Sequence, residues 1–121
     1  MNLLEHLAIH TEQVTKEKVI LSLEVAAIHK QPFGYLHGGV SGVLIETACS
    51  LGANQHLTDG FAVGVDLQIS HLNAVQSGKI QVIASPEKVG GRLQFWRAEI
   101  YLSETLIASG KCTLMVNKKN E

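Results

Sequence analysis

The chain has 121 residues, 45% of them hydrophobic and 17% charged, with 10 Lys and Arg against 11 Asp and Glu for a net charge of -1. That length reads as one domain, residues 1–121, able to bury roughly two-thirds of the surface its unfolded form exposes. The charge balance excludes a general nucleic-acid binder, which carries a basic excess, and so few charges imply an apolar face covered by another subunit.

In chain order, Leu3, Leu4, Leu7 and Ala8 predict a short amphipathic helix. Val19, Leu21, Leu23, Val25 and Ala27 alternate with mostly polar residues, the period of a half-buried strand. Lys30 to Gly34 reads as a loop, because Pro32 keeps Gln31 out of helical angles and Gly34 suits a turn. His37 to Leu57 then predicts one long helix, apolar on nearly every face and therefore buried. Its many small residues suit the close passage of other backbone.

After the Asp59-Gly60 turn, Phe61, Val63, Val65, Leu67 and Ile69 alternate cleanly as a strand. Ser77-Gly78 turns the chain into Ile80, Val82 and Ala84. Gly90-Gly91 turns it again, into Trp96, Ala98, Ile100 and Leu102. Ser103-Glu104 suits a tight hairpin, and Leu106, Ala108, Gly110, Cys112, Leu114 and Val116 form the last strand. The polar tail from Asn117 is expected to fray. Hairpins imply antiparallel pairing, so the expected class is α+β, a five-stranded antiparallel sheet with one long helix against it. The pattern does not fix strand order.

Cys49 and Cys112 lie among apolar neighbours and read as free, buried and inert. Two cysteines do not make a disulfide framework, and no zinc spacing is present. The start is too short and too interrupted for a signal peptide, and no apolar run spans a membrane, so a cytoplasmic location is expected.

Glu46 is the only charged residue between Lys30 and Asp59. A carboxylate in so apolar a helix is costly unless it reaches solvent, meets a partner charge, or works as a general base or nucleophile. Ser50 lies one turn on, on the same face, and can orient Glu46 or a water. His37-Gly38-Gly39 stands where the helix begins, where unpaired N–H groups and the positive end of the dipole gather. Glycines let a ligand oxygen approach closely, so this is a candidate oxyanion site.

Gly38 and Glu46 are separated by about 12 Å along a helix. One chain therefore does not bring both to one carbonyl. If both serve it, Glu46 of one subunit faces Gly38 of another. His71 near a strand end, and the glycine–basic turn of Lys88, Gly90, Gly91 and Arg92, are weaker candidates; the turn has the character of a phosphate site. No Walker loop, dinucleotide fingerprint or nucleophile elbow is present.

The segment QPFGYLHGGVSGVLIETACSLGAN, with its pattern QPFG-x-x-HGG-x(6)-ET-x-x-S, resembles the hotdog-fold acyl-CoA thioesterases of the phenylacetate-degradation type. The nearest subgroup holds 1,4-dihydroxy-2-naphthoyl-CoA hydrolase and 4-hydroxybenzoyl-CoA thioesterases. The likeness runs from about Val19 to Met115. It implies a five- to six-stranded sheet wrapped around the central helix, and a homodimer with shared active sites, further paired into a tetramer. It implies that Glu46 attacks the thioester or activates water, and that the Gly38 N–H binds the thioester oxygen. Gln31 and His37 would position the thioester, and Ser50 matches the hydroxyl one turn after the carboxylate.

Val65 and His71 would line the coenzyme A path, with Lys88 to Arg92 near its phosphates. No metal or separate cofactor is implied, since coenzyme A is part of the substrate. The sequence departs from the pattern at Gly90-Gly91-Arg92, where the Arg is shifted, and at Leu72 and Asn73, where relatives often carry basic residues. Its N-terminal stretch is also shorter than in many relatives. A non-catalytic acyl-CoA or aromatic-acid binding protein and a dehydratase are the rival readings on the same scaffold.

Overall fold

The computed structural model describes residues 1–118. Its elements are α1 (Leu3–His6), β1 (His10–Val14), β2 (Val19–Val25), a 3-10 turn (Ala27–His29), α2 (Gly38–Asn54), β3 (Phe61–His71), β4 (Gly78–Val89), β5 (Leu93–Leu102) and β6 (Thr105–Asn117). Six strands form one antiparallel sheet in the order β1-β2-β4-β5-β6-β3. After β2 the chain runs through α2, which lies against the sheet, and returns as β3 at the opposite edge.

The alternation read from the sequence builds this arrangement directly. Leu21 and Leu23 of β2, Ile80 and Val82 of β4, Trp96 and Ile100 of β5, and Leu114 of β6 all point to one face, where Leu44, Ile45, Ala48 and Cys49 of α2 meet them. The turns at Gly34, Gly60 and Gly78 have positive φ, as does Ser103 in the last hairpin.

Several expectations are corrected. The sheet has six strands, not the five that periodicity gave, because β1 (HTEQV) is largely exposed and so has no apolar alternation. The first helix is a single turn with no buried residue, and Ala8 ends it at a positive φ. The β2 strand stops at Val25, so Ala27 falls in the 3-10 turn. The long helix stops at Asn54 rather than Leu57. It is not buried all round: Gly39 and Glu46 are exposed, and Val43 and Thr47 beside them are half-buried. Asn117 closes β6, and residues 119–121 of the expected frayed tail lie outside the described residues.

The β3 strand does not alternate cleanly. Gly64 pairs Leu114 and Asp66 pairs Thr113, so Val65 is an extra residue in a bulge. A bulge reverses which residues face the core. Ala62 and Gly64 face α2 before it, and Leu67 and Ile69 after it, while Phe61, Val63 and Val65 are exposed. Val63 lies opposite Met115, which lies opposite Leu93. With Phe95 these form an exposed apolar strip on the sheet face turned away from α2.

Gly52 shows why the helix is rich in small residues. A Cβ there would lie 2.3 Å from the Trp96 ring. The indole N–H donates to Gln94 Oε1 at 2.9 Å, and the fully buried Gln94 amide donates to the Ala53 carbonyl at 3.2 Å. That chain satisfies polar groups at the closed end of α2. Gly52→Ala is expected to cost about 2 kcal/mol through overpacking. An unchanged denaturation midpoint would show that Trp96 has room to move.

Candidate active site

The N-terminus of α2 is capped by its own first residues. His37 Nδ1 accepts the Gly39 N–H at 2.7 Å, and the His37 carbonyl accepts the Val40 N–H at 3.0 Å. Because Nδ1 accepts, the ring hydrogen sits on Nε2. Among the described residues these bonds leave the Gly38 N–H without a partner, at the positive end of the helix. The His37 N–H in turn donates to the His29 carbonyl at 2.8 Å, which anchors the cap to the 3-10 turn.

Gly38 lines a depression with Gln31, Tyr35, Ser41 and His71. A Cβ on Gly38 would fall 2.8 Å from two atoms of the His71 ring, so the imidazole rests on the bare backbone. Gln31 Oε1 accepts the Phe33 and Tyr35 N–H groups, which folds the QPFG turn. Its amide nitrogen has no hydrogen-bond partner among the described residues, and the side chain lines the same depression as Gly38.

Glu46 lies on the open face of α2 and has no hydrogen-bond or ion-pair partner among the described residues. It lines an apolar depression with Leu3, Leu4, Val43, Leu67 and Ile69, and an adjoining one with Ser50. Its carboxyl group packs over Gly64 of β3, where a Cβ would stand 2.9 Å from Glu46 Cδ. Asn54 holds β3 in that place: its side chain accepts the Ala62 N–H at 2.9 Å and donates to the Ala62 carbonyl at 3.1 Å and to the Ser50 carbonyl at 2.7 Å.

Gly64 and Asn54 are supporting residues that sequence reading did not find, although a glycine midway along a clear strand is a signal of close approach. Gly64→Ala is expected to push aside the flexible end of Glu46, not the backbone. Turnover should fall about 10- to 100-fold from the misplaced carboxylate, with stability nearly unchanged. Equal losses of stability and turnover would contradict this.

The Gly38 depression and the Glu46 depression have no lining residue in common. One chain therefore brings Gln31, His37, Gly38 and His71 together at one end of α2, and Glu46 and Ser50 together further along it. The other expected contacts are dispersed. Val65 is exposed at the bulge of β3. Lys88, Gly90, Gly91 and Arg92 occupy the β4–β5 hairpin end, whose neighbour Leu93 shares a row with Val63. That row is roughly 25 Å along β3 from His71 at strand spacing.

Cys49 and Cys112 are free and buried. Burial, with a smaller contribution from the Glu46 charge, pushes the Cys112 thiol up from 9.0 to about 11. Burial likewise raises Cys49, with contributions from Cys112 and Glu46. Neither is a thiolate at neutral pH, so neither is a ready nucleophile.

A long helix laid on one face of an antiparallel sheet, with an isolated carboxylate on its open side, is the hotdog architecture of thioesterases. The thioesterase superfamily model matches residues 33–108. The 1,4-dihydroxy-2-naphthoyl-CoA hydrolase of Listeria monocytogenes is 37% identical over 123 residues, covering 100% of both chains. The proofreading thioesterase EntH of Cronobacter turicensis is 34% identical over 100 residues, covering 82% of this chain and 73% of that one. A crystallographic thioesterase from Haemophilus influenzae superposes with a TM-score of 0.92 at 33% identity, covering 98% of this chain and 84% of that one. The chain belongs to the thioesterase superfamily and is an enzyme that hydrolyses thioesters. Among the described residues, no helix is long and apolar enough to cross a membrane.

Proposed function

We propose that the enzyme hydrolyses an acyl-CoA thioester to the free acid and coenzyme A, with an aryl-CoA such as 1,4-dihydroxy-2-naphthoyl-CoA favoured. The observation that carries this reading is the unpartnered Glu46 carboxylate on an apolar depression, paired with a single uncommitted N–H at Gly38. The aryl preference is supported by the 37% identity to the Listeria hydrolase over the whole chain. In this reaction the Gly38 N–H, with the Gln31 amide beside it, polarises the thioester carbonyl. Glu46 then either attacks the carbonyl carbon or takes a proton from the attacking water, with Ser50 orienting it. Coenzyme A leaves as a thiolate, a good leaving group, and no metal or separate cofactor takes part.

Two copies complete each site. Gly38 and Glu46 line separate depressions in one chain, and β3 presents an open sheet edge of eleven residues (Phe61–His71) without Lys or Pro, interrupted at the Val65 bulge and Asp66. Such an edge pairs readily with another strand. Antiparallel pairing of β3 with a partner's β3 carries the Gly38 end of one copy toward the Glu46 region of the other. His37 and His71 then lie beside the thioester and pantetheine, Val65 lies along the same path, and Lys88, Gly90, Gly91 and Arg92 meet the phosphates. The exposed strip around Val63, Phe95 and Met115 serves a second pairing, dimer on dimer. Free, buried thiols suit a reducing cytoplasm.

Thiol release from a panel of aryl, short-chain and long-chain acyl-CoAs, read with a thiol reagent, tests this reading. Rapid release from at least one, strongest with an aryl thioester, is expected. Binding without release from every member of the panel would show that acyl-CoAs are not the thioesters this enzyme hydrolyses.

A further inference from the structure

The depression at Glu46 has one wall that the proposed reaction does not use. Leu3 and Leu4 of α1 line it together with Val43, Leu67 and Ile69, and Leu4 also lines the adjoining hollow with Ser50. The depression is about 410 Å³ and largely apolar. Leu3 is 56% exposed, so its apolar side chain has little protein to cover it.

A four-residue helix does not hold itself in place, and none of the residues of α1 is buried. Its position is fixed from behind. His29, only 1% exposed, places its ring under the turn that follows α1. Its Nε2 donates to the Leu7 carbonyl at 2.8 Å, while its Nδ1 accepts the Ala26 N–H at 2.9 Å. Both ring nitrogens are thus engaged in one tautomer. An apolar residue would fill a buried position without needing two hydrogen bonds. The histidine adds a tether of fixed length between the 3-10 turn and the end of α1.

We propose that α1 is the wall that selects the acyl group, that Leu4 and Leu3 touch it, and that His29 is the positioning residue setting how far this wall stands from Glu46. This rests on the thioester-hydrolase reading with Glu46 in the site. It adds the part of the chain that decides which acyl size fits. Removing methyl groups from such a wall changes discrimination between substrates differing by a few carbons about tenfold.

The test compares kcat/KM for a bulky aryl-CoA and a short-chain acyl-CoA in the full-length enzyme. Leu4→Ala is expected to shift the ratio about tenfold toward the bulkier substrate. His29→Leu is expected to blur the ratio by freeing α1. His29→Gln, whose amide can still donate to the Leu7 carbonyl, should restore it. A variant that merely folds less well lowers both rates together and leaves the ratio alone, so partial unfolding cannot imitate the effect. An unchanged ratio in Leu4→Ala and His29→Leu, with normal wild-type turnover, would overturn the wall and leave the hydrolase reading standing. No turnover of any acyl-CoA by the wild type would overturn both.

Discussion

Glu46→Gln is expected to lower kcat by about a thousandfold or more, the usual loss when a base or nucleophile is removed. The substitution keeps the size of the side chain and removes its charge and basicity. Stability should hardly change, because Glu46 is exposed in the chain and has no partner whose loss would leave a buried group unsatisfied. KM should move little, since in the proposed reaction the carboxylate serves the chemical step and not the binding of the remote coenzyme. Steady-state kinetics with the best thioester, beside a denaturation curve, checks both halves. Turnover within tenfold of wild type would remove Glu46 from the chemistry.

The second large effect is expected at Gly38. The proposed oxyanion donor is a backbone N–H, so replacing the side chain does not remove it, but proline does. Proline is tolerated at the first helical position, where its fixed φ suits the helix and its missing N–H costs no helical bond. His37 before it is already extended, at φ -69 and ψ 130. The added ring atoms would strike His71, so the substitution is made with His71→Ala, and His71→Ala alone is the reference. Against that reference, Gly38→Pro is expected to lower kcat by about 10²–10³-fold, the loss typical of one oxyanion donor. A loss no greater than that of Gly38→Ala in the same background would show that the N–H is not used.

Much of the scaffold is legible in the sequence because its apolar residues repeat with the period of their element. The inward rows of β4, β5 and β6 and the presence of one long helix near His37 follow from spacing alone, while the end of α2 at Asn54 does not. What is illegible has physical causes. β1 is a mostly exposed edge strand, so nothing in its composition marks it. The Val65 bulge reverses the facing of β3 partway along, and a hydrophobic alternation that crosses a bulge looks unbroken while its two halves point to opposite sides. The isolation of Glu46 in an apolar helix signals its importance, but not that it stands on an open face over Gly64. The clamp from Asn54 to Ala62 and the tether from His29 to Leu7 join residues distant in sequence through backbone groups, which no side-chain pattern encodes.

The residue distances within α2 make the shared site the central claim. Its most direct measurement mixes two inactive proteins, Glu46→Gln and Gly38→Pro/His71→Ala, after unfolding and joint refolding. Random pairing gives half heterodimers, and in a site built from Gly38 of one copy and Glu46 of the other, each heterodimer holds one intact pair. The intact pair takes Gly38 and the His71 that rests on it from the same Glu46→Gln chain, so the mixture is expected to regain about a quarter of wild-type activity, as two-fold symmetry requires. If each chain instead built its own site, every site in the mixture would stay broken. No regained activity, with heterodimers confirmed by mass, would contradict the account.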